Sequence, residues 1–231
     1  MTLGGVAVGS SILGAVKWLG VPDLVQTEDD GHFWQWSRAG GFDREVVTDD
    51  DLVVRSVLVA RAGPAAPSSP APVDAPLLGL DADAAARAAA ALGATGMHRF
   101  DAQTLVWELR GSVLIGEFDG ERVVRLRACD MLTARSRGYF GAPLALPVHR
   151  APALLRQYTP HLIPSGVGTV VLRVTVDAQG KVSDARVVVP SGDREVDAFE
   201  IQSMRGSTFS PASCAGQPCA GVYIDIGGVM R

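Results

Sequence analysis

The residues of this chain that could do chemistry are few, and their spacing excludes most of what they could do. Gly4-Gly5-Val6-Ala7-Val8-Gly9 has the glycine spacing of a phosphate-binding loop. Ser10 stands where that loop needs its lysine, which rules the nucleotide reading out. His32, His98, His149 and His161 lie far apart, with no second histidine or cysteine at ligand spacing, so no metal site is expected. Asp49-Asp50-Asp51 lacks the further oxygen donors of a calcium loop and reads as a charged turn. There is no Gly-x-Ser-x-Gly elbow and no cysteine in a setting that would activate it. Neighbouring carboxylates such as Asp29 and Asp30 point to opposite sides of an extended chain. The expectation is a protein that is not an enzyme and uses no cofactor.

The cysteines carry the remaining chemistry. Cys214 and Cys219 flank Ala215-Gly216-Gln217-Pro218, a turn sequence that could bring them face to face across a hairpin. A disulfide is expected there in preference to two thiols. Closing so short a loop contributes roughly 2 kcal/mol and requires an oxidising compartment. Cys129, at the end of an apolar run, reads as a small buried hydrophobe.

With 231 residues, 47% of them hydrophobic, the chain has enough apolar material for one or two packed domains. A net charge of −4, from 21 basic and 25 acidic residues, leaves no footprint for nucleic acid. Arg122, Arg125, Arg127, Arg135 and Arg137 make one basic stretch, expected as a solvated strand face and tail, with an acidic partner as the alternative. No run of eighteen apolar residues suggests a transmembrane segment. Val6 to Leu19, interrupted by Gly9, Ser10, Ser11, Gly14 and Lys17, reads as an amphipathic helix and not as a signal peptide.

The elements that must position these groups are clearest near the C-terminus. Val170, Leu172, Val174 and Val176 alternate with Arg173 and Thr175, the pattern of a half-buried strand. Asp177-Ala178-Gln179-Gly180 turns the chain into a second strand over Lys181 to Val189. Val196, Phe199 and Met204 mark a helix from Asp193 to Gly206, and Val222, Ile224 and Ile226 a last strand. Upstream, Gly9-Ser10-Ser11 can cap a helix through Ile12, Ala15, Val16 and Leu19, followed by three β-prone runs containing Trp34 and Trp36, Val46-Val47, and Leu52 to Ala60. A second unit repeats this order: an Ala-rich helix from near Asp81 to Leu92-Gly93, then Trp107, then Val123-Val124-Arg125. Between them Ala62 to Pro72 is proline-rich and semi-extended, and Ala153 to Gln157 suits one short helical turn.

Taken in order, Gly168-Thr169-Val170, Val176-Asp177-Ala178-Gln179-Gly180-Lys181-Val182-Ser183-Asp184-Ala185, Ser191-Gly192, Val196-Asp197-Ala198, Phe209-Ser210-Pro211-Ala212 and Gly216-Gln217-Pro218 resemble the C-terminal domain of TonB energy transducers. Gly9-Ser10-Ser11, Val16, Leu19-Gly20-Val21-Pro22-Asp23 and Trp34-Gln35-Trp36 resemble the SmpA/OmlA (BamE)-like outer-membrane assembly lipoproteins and the tandem β-lactamase-inhibitor proteins. No lipidation cysteine stands near the start.

These resemblances imply an α+β protein of two tandem helix-on-antiparallel-sheet repeats and a ββαβ TonB-like domain. The corresponding bounds are 1–61, a Pro/Ala linker at 62–76, 77–138, a Pro-rich connector at 139–157, and 158–231. They imply a periplasmic or otherwise extracytoplasmic, non-enzymatic protein that binds a protein partner by strand addition at an open sheet edge. The partner would dock along Val222, Tyr223, Ile224, Asp225 and Ile226, or along the edge of the second hairpin strand over Lys181 to Val189, with Trp34, Trp36 and Trp107 as further contacts or as plain packing residues. A second reading makes the chain an enzyme inhibitor or immunity protein acting through its repeats. The short linker has too little reach for a stand-alone transducer, since about a dozen residues extend only roughly 3.1 Å each.

Overall fold

Strand is the dominant local outcome of this sequence, because valine-rich alternating runs recur between Gly- and Asp-containing turns. The computed structural model describes residues 1–39, 41–61, 75–161 and 163–229. The expected Pro/Ala linker lies outside the described residues over 62–74. In chain order the elements are β1 (Thr2–Leu3), β2 (Val6–Ala7), α1 (Ile12–Leu19), β3 (Leu24–Glu28), β4 (Gly31–Ala39), β5 (Phe42–Thr48) and β6 (Val54–Arg61). Then come α2 (Ala82–Ala91), β7 (Gly96–Asp101), β8 (Thr104–Leu109), β9 (Ser112–Asp119), β10 (Arg122–Asp130) and α3 (Met131–Ser136). The remainder is β11 (His149–Arg150), β12 (Ala153–Arg156), β13 (Gly168–Val176), β14 (Val182–Val189), α4 (Arg194–Gly206), β15 (Thr208–Ser210), β16 (Ala212–Cys214), β17 (Gln217–Cys219) and β18 (Gly221–Val229).

One eight-stranded sheet has the order β3-β4-β5-β6-β10-β9-β8-β7. This corrects the expected α+β division into two small repeats, each a helix on its own three-stranded sheet, followed by a TonB-like domain. The strand that would have ended each small sheet pairs with its counterpart instead: β6 and β10 run antiparallel, from Arg125 opposite Ala60 to Cys129 opposite Ser56. Two exposed edges are thereby removed, which is the physical reason for the merger. The chain forms two compact units, one of Met1–Leu19, Gln35–Thr48 and Val53–Leu146, the other of Gly20–Trp34, Asp49–Leu52 and Pro147–Arg231.

In the first unit the pleat sorts the side chains of the sheet onto two faces. Leu126 and Ala128 of β10, with Leu114 and Gly116 opposite them on β9, share one face, and all but the glycine are fully buried side chains. Trp107 lies over Gly116, where an added Cβ would stand 2.9 Å from the indole ring. On the other face Val106, Val113, Ile115 and Cys129 pack under Ala134 of α3, with Met131, Tyr139 and Phe140 closing the edge. Asp130 caps α3 by accepting the Thr133 N–H at 2.7 Å, and Asp81 caps α2 through the Ala84 N–H at 2.8 Å. Burial pushes the Cys129 thiol up to about 12.

In the second unit β13 is the central strand of the order β14-β13-β18. Asp177 builds the β13–β14 turn by accepting the Gln179 and Lys181 N–H groups at 2.9 Å each, with Gly180 at φ 80°. Asp193 caps α4 through the Glu195 N–H at 2.8 Å, and Ser191 donates to Asp197 at 2.7 Å. Met204 of α4 packs on Val170, Leu172, Val174 and Val176 with Phe209 and Ala185. The segment expected as a helical turn, Ala153 to Gln157, forms β12 and pairs with β15, Leu154 opposite Phe209. Leu154 is thereby packed against that apolar cluster, which a local propensity argument does not foresee.

Two carboxylates lie within this α4 layer. Glu200 is 5% exposed, and Asp225 sits opposite Leu172, on the face where α4 packs. Burial raises the pKa of both above the ordinary carboxylate range, and the charge of Asp225 adds to the shift on Glu200. A carboxyl whose pKa is raised by folding favours the native state while protonated. Its contribution is therefore full at acid pH and is lost as pH rises from about 4 through the raised folded value. Glu200→Gln or Asp225→Asn should raise the melting temperature at pH 7, with the gain over wild type closing as pH falls toward 4, read by thermal denaturation across that range.

Candidate functional site

The sequence directs attention first to the border of β18, which the strand-addition reading requires to be open. One side of β18 pairs with β13 along its length, from Gly168 opposite Val229 to Val176 opposite Gly221. On the other side Thr27 of β3 accepts the Ile224 N–H on its hydroxyl at 2.8 Å and donates to the Ile224 carbonyl at 3.4 Å. A side chain thus occupies the main-chain donor and acceptor that a visiting strand would use at this position, and docking by strand addition there is corrected on that ground.

The hydroxyl is itself held. His32, 1% exposed, places Nδ1 3.2 Å from Thr27 Oγ1 and Nε2 3.3 Å from an Asp50 carboxylate oxygen. The second approach is within ion-pair reach, and Nε2 has no hydrogen-bond partner among the described residues. The contact with His32 still outweighs burial and holds the Asp50 carboxyl below its ordinary range, with the charges of His149 and Arg173 assisting. Hydroxyl, imidazole and carboxylate follow one another as in a nucleophilic triad. Here the Thr27 oxygen is engaged with both backbone groups of Ile224, so the chain fastens a strand.

The other residues singled out in the sequence are also accounted for. Val222 and Ile224 are buried, and Tyr223 is half-buried with its ring edge-on to Phe209 at 5.2 Å. Asp225 and Ile226 are half-buried. Trp34, Trp36 and Trp107 are 0%, 2% and 1% exposed, which makes them core residues with no surface for a partner. Cys214 and Cys219 are disulfide-bonded, their Cα atoms 5.9 Å apart. His149, far from both in sequence, stands opposite Cys214 in the β11–β16 pair.

A large concave surface belongs to the first unit. A cleft of about 1090 Å³ lies on the part of the Ile115–Cys129 face that α3 does not cover, lined by residues that include Asp43, Glu45, Leu58, Glu117, Arg125 and Arg127. Phe100 and Tyr139 form an aromatic wall, their rings 5.1 Å apart and edge-on. The register puts Arg127 opposite Leu58 on one side and Ile115 on the other, in the middle of a sheet paired on both flanks. The basic stretch of β10 is therefore no solvated tail at this residue. Arg127 donates from Nη1 to the buried Ser56 hydroxyl at 3.1 Å, while its Nε is shielded from solvent and has no hydrogen-bond partner among the described residues. Burial lowers the Arg127 pKa, and the nearby Arg137 charge adds to that effect. Glu117, the acidic neighbour on β9, lies 3.4 Å from Arg125 instead. A guanidinium stays charged at any ordinary pH. The cleft floor therefore carries a cation without a paired carboxylate among the described residues, an arrangement suited to an oxyanion ligand.

Replacing Thr27 by valine keeps the volume and removes the hydroxyl, leaving the Ile224 N–H without its partner. The expected loss is about 1–3 kcal/mol of unfolding free energy. It is measured by chemical denaturation, with Thr27→Ser as the variant that retains stability.

No family model matches the chain, and no curated protein does. Among solved structures it is similar to an extracellular protein containing an SCP domain from Bacillus anthracis, at 13% identity over 60% of this chain and 50% of that one, with a TM-score of 0.42. It is also similar to a cysteine-rich secretory protein from Staphylococcus aureus, at 13% identity over 58% of this chain and 46% of that one, with a TM-score of 0.39. The chain spans about half the length of these structures. The likeness is too distant to transfer any property. The resemblances to TonB C-terminal domains, SmpA/OmlA (BamE)-like lipoproteins and β-lactamase-inhibitor proteins find no counterpart in these comparisons. They are corrected accordingly, together with the transducer-like and inhibitor-like functions drawn from them. Among the described residues no helix is long and apolar enough to cross a membrane.

Proposed function

We propose that this is a non-enzymatic, extracytoplasmic ligand-binding protein whose first unit holds the oxyanion of a mixed-charge ligand against Arg127. The observation that carries this reading is the guanidinium itself: half-buried on the cleft floor, anchored at Ser56, and without a carboxylate partner among the described residues. Carboxylates at Asp43, Glu45 and Asp119 line the same cleft, so a ligand with a cationic group beside its oxyanion is favoured over a simple polyanion. The volume, at the top of the range for small-molecule sites, admits an amino-acid-like acid or the acidic end of a peptide. The Cys214–Cys219 disulfide supports the extracytoplasmic placement, since such bonds persist in oxidising compartments.

The test is calorimetric and thermal-shift binding of the full chain to three probes: zwitterionic dicarboxylic amino acids, their phosphorylated counterparts, and peptides ending in an acidic residue. Arg127→Met keeps most of the volume and removes the charge. It should melt at or above the wild-type temperature without ligand, because an unpaired buried charge is replaced by an apolar group. It should also bind the active probe about 10-fold or more weakly. Failure of every probe to bind the wild type, or binding unchanged in Arg127→Met, overturns the proposal.

A further inference from the structure

The second unit holds a cluster that the ligand reading does not use. β16 and β17 form a hairpin, Cys214 opposite Gln217, closed by Ala215 and Gly216 at φ 50° and 82°. β11 pairs along the outer side of β16 and sets His149 directly opposite Cys214. An imidazole nitrogen of His149 and the sulfurs of Cys214 and Cys219 all lie within 4.8 Å of one another. Cys214 is exposed, and Cys219 and His149 are half-buried. The imidazole is oriented by the backbone: its Nδ1 stands 3.2 Å from the Asp29 carbonyl oxygen, and the Asp29 carboxylate accepts the Ala151 N–H at 2.9 Å. An imidazole that donates from Nδ1 to a carbonyl keeps its lone pair on Nε2, the arrangement by which metal-binding histidines are fixed.

We propose that Cys214, Cys219 and His149 form a redox-gated site for a zinc ion, closed while the disulfide is intact and open once it is reduced. Two thiolates and one imidazole are the borderline-soft donor set that zinc takes, and three protein ligands leave a fourth position for solvent or an outside ligand. In a tetrahedral zinc site the donor atoms are roughly 3.5–4 Å apart, given bonds of about 2.0–2.3 Å. The cluster is already compact enough for that geometry once the two sulfurs separate. Gating follows from valence, since a sulfur engaged in a disulfide is not a thiolate ligand.

The chemistry balances with an external dithiol as reductant. Its two sulfurs join as a disulfide, and the two electrons and two protons they give up break the Cys214–Cys219 bond and leave two thiols. Zinc binding then releases both thiol protons to solvent. Oxidation back to the disulfide by a disulfide-bearing oxidant expels the metal by the reverse route.

The experiment uses the full chain, reduced and freed of reductant without air, and titrated with zinc or with cobalt(II) as the spectroscopic stand-in. The expected result is one equivalent bound, with sulfur-to-cobalt charge-transfer absorption that zinc abolishes, and none bound by the oxidised protein. Zinc should also protect both thiols from alkylation, read by mass spectrometry. His149→Ala, examined in the reduced state alongside a circular-dichroism check of folding, should weaken binding about 10-fold or more while leaving the disulfide able to form. Absence of cobalt–thiolate absorption in the reduced wild type, or unchanged affinity in His149→Ala, overturns the proposal. Because Arg127 and this cluster belong to different units, the zinc result and the oxyanion result stand or fall separately.

Discussion

The antiparallel pairing of β6 with β10 is the constraint on which the first unit depends. Without it, two meanders would each end in an open strand, and each would present its unpaired backbone to solvent or to another chain. With it, β10 becomes an interior strand, and the alternation of Arg125, Arg127 and Cys129 with Leu126 and Ala128 is no longer a surface pattern. Cys129 goes under α3, whereas Arg127 is left on the uncovered part of the same face. The cleft and the Arg127 guanidinium on its floor are therefore products of sheet pairing, not of a local motif.

The second unit manages its border by a different device. β18 is not capped by a further strand at Ile224 but by one hydroxyl that satisfies both a donor and an acceptor. That hydroxyl rests on a buried imidazole, and the imidazole faces a carboxylate held in its charged form. Beneath the same strand, Glu200 and Asp225 are disposed the opposite way, with burial favouring their neutral forms. Carboxylates on either side of β18 therefore titrate in opposite directions from their ordinary range, because one has a polar partner at contact distance and the others have mainly apolar surroundings.

Local signals in the sequence were strong where turn chemistry and periodicity coincide. Asp177 and Gly180 specify the β13–β14 turn, Asp193 and the spacing of Val196 and Met204 specify α4, and Asp81 with the alanine run specifies α2. The Gly-Pro turn between Cys214 and Cys219 likewise pointed to their pairing, and the two are bonded. What composition and spacing do not carry is which strands meet across long separations. The β6–β10 pairing, the tie from Thr27 to Ile224 and the placement of His149 beside Cys214 each join residues tens to hundreds of positions apart. Local patterns are equally content with the open edge and the paired one, which is why the tandem-repeat and strand-addition expectations gave way. Arg127 shows the same limit on a smaller scale. A basic residue in an alternating run looks solvated until its strand is known to lie inside a sheet.

The third cysteine bears on how the molecule matures. Cys129 is enclosed by Val106, Val113, Ile115 and Ala134, and its proton is retained to about pH 12. Thiol exchange proceeds through the thiolate, so once the β9–β10–α3 layer has closed this sulfur is withdrawn from oxidative chemistry. An odd number of cysteines then poses no hazard of shuffled bridges in the folded molecule, and any scrambling is confined to the nascent chain before that layer assembles.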